Sequence, residues 1–107
     1  MRIALILAAL ILSTSTQAAE LAQWQQDALK LIKSEKKVID ARWKDPVVNA
    51  MHVTMASDGT RKDGYAEYLC MLFPDVGAPK DLKTITIYDD AAYKAGGVQS
   101  IGMAACR

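Results

Sequence analysis

How much chain is left to fold is decided by residues 1–18. Arg2 puts a positive charge behind the first residue, and Ile3 to Leu12 is an unbroken run of Ile, Ala and Leu. A run of about ten apolar residues matches the central region of a secretory signal peptide and falls short of the roughly 20 that span a bilayer. Ser13 to Gln17 turns polar, and Thr16-Gln17-Ala18 sets small residues where a signal peptidase cuts. The expectation is a cleavable secretory signal peptide over residues 1–18, cut after Ala18 with Ala19 as second choice, and one globular domain over residues 19–107. The competing reading is an uncleaved anchor or a buried core helix. No cysteine follows the cut, which argues against a lipoprotein anchor.

Arg2 is the only charged residue in that segment, so the 13 basic side chains fall to 12, against 12 acidic ones. A formally neutral domain lacks the field that draws nucleic acid or an anionic bilayer to a protein. The expected partner is a protein or cell-envelope ligand, with no nucleic acid and no stable membrane insertion after cleavage. Roughly 90 remaining residues support one domain with a modest core.

Both cysteines, Cys70 and Cys106, lie in the exported portion. An even count in a small secreted chain points to a disulfide, and two cysteines allow one intramolecular connectivity. A buried free thiol at Cys70 and an intermolecular bridge through Cys106 are the alternatives. A redox-active pair would need the C-x-x-C spacing, which this chain lacks.

Glu20 to Lys44 reads as one long amphipathic helix, with Leu21, Trp24, Ala28, Leu31, Ile32, Val38 and Ile39 on its apolar face. No Gly or Pro interrupts it before Asp45-Pro46, where the residue ahead of a proline leaves helical space. Val47 to Ala56 alternates as a strand, and Ser57-Asp58-Gly59-Thr60 and Asp63-Gly64 follow as turn signals. Tyr65 to Phe73 fits two states. As a helix it aligns Ala66, Leu69, Cys70 and Phe73, with Asp63 as N-cap and Pro74 as its stop; as a strand it would pair with its predecessor. The helix is preferred, because Ala, Glu, Leu and Met outweigh Tyr and Phe. Leu82 to Tyr88 is the clearest strand, Ile85 and Ile87 alternating with Thr84 and Thr86. Asp89-Asp90 breaks it and caps a short helical turn through Tyr93 and Lys94, which Gly96-Gly97 stops. Val98 to Cys106 reads as an edge strand or extended tail.

The fold class that follows is α+β: a small two-layer sandwich with a long N-terminal helix, then strand–helix–strand and a C-terminal edge strand. A strand–helix–strand unit implies parallel strands joined by a crossover. The order of a turn at Asp58-Gly59, a helix and a strand resembles periplasmic BON-type modules in outline. That family places another strand between Gly59 and the helix, which this chain does not, so the likeness implies an outline of fold and no function.

No catalytic, cofactor or metal motif stands out. His52, the single histidine, lies mid-strand without a carboxylate or cysteine at ligand spacing. Ser34, Ser57 and Ser100 sit in no G-x-S-x-G motif. Trp24, Trp43, Tyr65, Tyr68, Tyr88 and Tyr93 would line a cleft or, as large aromatics in a small core, fill its volume. The densest polar segment runs from Asp58 to Gly64 and offers Asp58, Arg61, Lys62 and Asp63. It reads as an anion-binding loop or as a solvated turn with a cap; a calcium loop is opposed by its two cations and its spacing. If the Tyr65 segment is a crossover helix, the strands ending at Ala56 and Tyr88 finish at one sheet edge. That would place the loop beside Asp89 and Asp90, with Arg61 or Lys62 free to pair with them.

The functional expectation is a small exported, periplasmic or extracellular, non-enzymatic binding or accessory protein. Alternatives are a small envelope hydrolase using Asp89, Asp90 or His52, and a secreted toxin, inhibitor or immunity-type protein.

Overall fold

Amphipathic spacing builds the first element of the fold, and loss of that spacing ends it. The structure is a computed structural model that describes residues 21–107, so the segment expected to be a signal peptide, residues 1–18, lies outside the described residues. Helix α1 spans Gln23–Lys33, with Ala28 and Ile32 fully buried. Gln25 is the unusual member of its inner face, a buried amide. Its Oε1 accepts from Ala22 N at 2.8 Å, while its Nε2 donates to Pro46 O and Asn49 Oδ1, each at 3.0 Å. Every polar group of that side chain is therefore used, as burial demands.

The helix does not continue to Lys44. After Ile32 the next inward helical positions would fall on Glu35 and Lys36, and both are charged. Ser34 closes the last turn, its Oγ donating to Leu31 O at 2.6 Å. Strand β1 follows at Asp40–Asp45, with Ala41 and Trp43 buried and Asp40, Arg42 and Lys44 exposed. The period is two residues, that of a half-buried strand. The β1–β2 hairpin turns at Pro46–Asn49, where Asn49 adopts a left-handed φ of 56°, a conformation asparagine tolerates better than most residues. Strand β2, Ala50–Met55, pairs antiparallel with β1, setting Arg42 opposite His52 and Trp43 opposite Met51.

The Tyr65 segment is helical. Helix α2 spans Asp63–Cys70 and buries Ala66 and Leu69. Its N-cap is Lys62 rather than Asp63, because the Asp63 carboxylate is drawn away to Arg61 and to Met103 N. Pro74 falls in a single 3-10 turn, Phe73–Val76, closed by Gly77. Strand β3, Lys83–Asp89, lies parallel to β2, as a crossover helix requires. Helix α3, Asp90–Lys94, starts where expected, with Asp89 Oδ2 accepting from Ala92 N at 3.0 Å. Strand β4, Gly102–Cys106, runs antiparallel to β3 and forms an edge of the four-stranded sheet, ordered β1-β2-β3-β4.

The result is a small α+β fold in two layers. Trp43, Met51, Val53, Ile85, Ile87 and Ala104 line one face of the sheet and share a core with Ile32, Leu69 and Phe73. A disulfide joins Cys70 at the end of α2 to Cys106 at the end of β4, pinning the helix layer to the edge strand. No helix among the described residues is long and apolar enough to cross a membrane.

Candidate functional site

Alternation leaves the other face of the sheet with a second set of side chains. From β1 it carries Asp40, Arg42 and Lys44; from β2, His52 and Thr54; from β3, Thr84, Thr86 and Tyr88. Both helices of the core lie on the opposite face. Among the described residues, only α3 folds back over this one, and it lays Tyr93 across the strands. The rings of His52, Tyr88 and Tyr93 then form a triangle, with centroids 4.8 Å apart for His52–Tyr88, 4.9 Å for Tyr88–Tyr93 and 5.6 Å for His52–Tyr93. The Arg42 guanidinium sits 5.6 Å above the Tyr93 ring, within cation–π range.

The hydrogen bonds in this cluster have a fixed direction. Arginine only donates, so the 2.7 Å contact makes Tyr93 Oη the acceptor from Arg42 Nε. The Tyr93 hydroxyl proton is then free to donate to His52 Nδ1 at 3.0 Å. That leaves the imidazole proton on Nε2, which faces Tyr88 Oη at 3.5 Å, the outer limit of a hydrogen bond. Burial, followed by the positive charges of Arg42 and Lys44, holds the His52 imidazole below its ordinary value, which favours this neutral form. Burial and then Tyr93 push the Tyr88 phenol up, keeping it protonated and a donor.

At the end of this face, Thr54 is buried and its hydroxyl donates to Asp90 Oδ1 at 2.6 Å. Asp90 Oδ2 takes Lys94 Nζ at 2.8 Å, and Lys94 and then Thr54 hold the carboxyl below the usual carboxylate range. A small cavity of about 80 Å³ lies between α3 and the strands, lined by Asp40, Arg42, His52, Thr54, Asp90 and Tyr93 among others. Pockets that enclose a drug-sized ligand hold about 300 Å³ or more, so recognition here would use the face rather than engulf a molecule.

The Asp58–Gly64 loop leaves β2 through Ser57, whose N donates to Asp89 Oδ1 at 3.1 Å. Its cations, however, pair within the loop. Arg61 meets Asp63 at 2.9 Å and Lys62 meets Asp58 at 2.9 Å, instead of either reaching Asp89 or Asp90. Hydrogen bonds from Thr60 and then Lys62 hold the Asp58 carboxyl well below the usual range, and those from Arg61 and then Met103 N lower that of Asp63. The loop also fixes β4 in place: Lys62 N donates to Ile101 O at 2.6 Å. A Cβ at Gly102 would come within 2.5 Å of the Lys62 carbonyl carbon, so only glycine permits that approach.

Sequence reasoning named His52, Tyr88 and Tyr93 separately and missed Arg42, which it placed in a helix. The signal for Arg42 was its position between inward-facing Ala41 and Trp43. Among the described residues, no group of three or more His, Cys, Asp or Glu residues is arranged to hold a metal ion. Comparison of the chain with protein-family models, curated proteins and solved structures returns no match.

Proposed function

We propose that this is a small exported binding or accessory protein whose working surface is the sheet face opposite α1 and α2, with a protein or cell-envelope ligand as partner. The observation that carries the reading is the chain Arg42–Tyr93–His52–Tyr88, assembled from β1, α3, β2 and β3 on one face. Its internal bonds use Arg42 Nε and the Tyr93 hydroxyl, and among the described residues the two terminal nitrogens of Arg42 have no partner. The Tyr88 hydroxyl proton is also unspent, because its oxygen receives from His52. The surface thus offers donors beside aromatic rings, which suits a carboxylate, a phosphate or a row of peptide carbonyls.

Export is supported by the Arg2 and Ile3–Leu12 pattern and by the Cys70–Cys106 bridge, which is compatible with an oxidising compartment. The test is capture of partners from an envelope extract by tagged protein recovered from the exported fraction. Its intact mass is expected to lack residues 1–18 or 1–19. Arg42→Ala and Tyr88→Ala, made separately, are each expected to reduce capture about tenfold, as loss of a donor or aromatic anchor does. Their melting temperatures should stay near the parent's, since both side chains lie outside the core. A retained Met1 would remove the export half of the proposal, and undiminished capture by both variants would remove the surface.

A further inference from the structure

Lys83 is the largest fully buried side chain among the described residues, at 2% exposure. It begins β3 on the covered face, opposite in direction to the His52 cluster. Its ammonium donates to Pro79 O and, at 2.6 Å, to Asp81 O. It also lies 5.8 Å from the Trp24 ring centre and 5.6 Å from that of Phe73. An ammonium has three donors, and carbonyls take only two of them here. No carboxylate among the described residues forms an ion pair with it. A buried cation without a counter-charge is costly, because neither carbonyl dipoles nor ring faces replace a full negative charge.

Lys83 also lines a cavity of about 380 Å³. Phe73, Ala78 and Pro79 give that cavity an apolar wall, and Lys80 and Arg107 add two more cationic side chains; no acidic residue lines it. Volume, apolar wall and three cationic side chains converge on one ligand chemistry. We infer that this cavity binds a small amphipathic organic anion, with the carboxylate or other anionic head at Lys83, Lys80 and Arg107 and the apolar body against Phe73. The bound anion supplies the missing counter-charge of Lys83. This site is separate from the sheet face proposed above and stands whether or not that face binds a partner.

The test uses octanoate and octan-1-ol, which share a tail and differ in charge, with inorganic sulfate as a head-only control. Binding to the mature protein is followed by calorimetry and by the fluorescence of Trp24 and Trp43. Octanoate is expected to bind saturably, with octan-1-ol and sulfate each weaker by about tenfold or more. Lys80→Ala combined with Arg107→Ala is expected to weaken octanoate about tenfold at unchanged ligand-free melting temperature, since both side chains are exposed. Lys83→Met should abolish the preference for octanoate over octan-1-ol; if that variant does not fold, the double variant decides. Absence of octanoate binding up to about 10 mM, or equal binding of octan-1-ol, overturns the inference. So does octanoate affinity that is unchanged in the double variant. Sulfate binding as tightly as octanoate would overturn the apolar half of the site.

Discussion

Replacing Trp43 by alanine is expected to lower the stability of the protein by about 4 kcal/mol, within the range for emptying a buried aromatic site. Trp43 is the inward residue of β1 that bridges the two layers. Its ring lies 5.6 Å from Trp24 in an edge-on arrangement and 6.2 Å from Phe73, and its Nε1 donates to Gln25 O at 2.9 Å. Truncation removes the packing of the strand against α1 together with the side-chain bond that fixes it. A domain of this size has a total stability of roughly 5–15 kcal/mol, so the variant would sit near the threshold of folding. Urea unfolding of both proteins measures the difference. A loss below about 1.5 kcal/mol would mean that Trp43 is not a core residue and that β1 is misplaced.

The second large effect belongs to the disulfide. Cys70 and Cys106 are 36 residues apart, and closing a loop of that length stabilises a fold by about 4 kcal/mol in the chain-entropy treatment. Replacing both by serine, or reducing the bridge, is expected to lower the melting temperature by roughly 20 °C. The oxidised protein should be two hydrogens lighter than the reduced form and resist alkylation without prior reduction. The bridge joins the last turn of α2 to the last residue of β4, so its loss should first release β4, an edge strand otherwise held by β3 and the Lys62–Asp63 contacts. Equal melting temperatures for the oxidised and reduced protein would show that β4 needs no such tie.

The readable parts of the fold were those where local pattern and tertiary burial agree. Ile85 and Ile87 alternate with Thr84 and Thr86, and both isoleucines are fully buried. The Tyr65 segment was ambiguous by propensity, yet Ala66 and Leu69 keep helical spacing and are fully buried. The cysteine pair needed only arithmetic, since two cysteines allow one intramolecular connectivity. β1 was hidden for two reasons. No glycine or proline separates Lys33 from Asp45, and the strand has just two inward residues, Ala41 and Trp43, too few for a period to declare itself. The break in apolar spacing at Glu35 and Lys36 is the one local sign of the helix end, and no glycine or proline marks it.

That one misassignment hid the site as well. Arg42 meets His52 only through the β1–β2 register, so a chain with residue 42 on a helix cannot bring the two together. Tyr93 reaches them because the Asp89 cap turns the chain back over the sheet, a direction that no local pattern encodes. The loop from Asp58 to Gly64 shows the converse. Ser57, just ahead of it, bonds Asp89 at the end of the parallel strands, while Arg61 and Lys62 pair with carboxylates of the loop itself, Asp63 and Asp58.

The central claim is that the sheet face bearing His52, and not the helix layer, meets the partner. It is tested most directly by a photo-cross-linking side chain placed at Thr86, opposite His52 in the β2–β3 register, and separately at Glu67 on the exposed side of α2. Irradiation in the native envelope is expected to give a discrete adduct from position 86 and none from position 67. Adducts from position 67 alone would contradict the account and move the working surface to the helices.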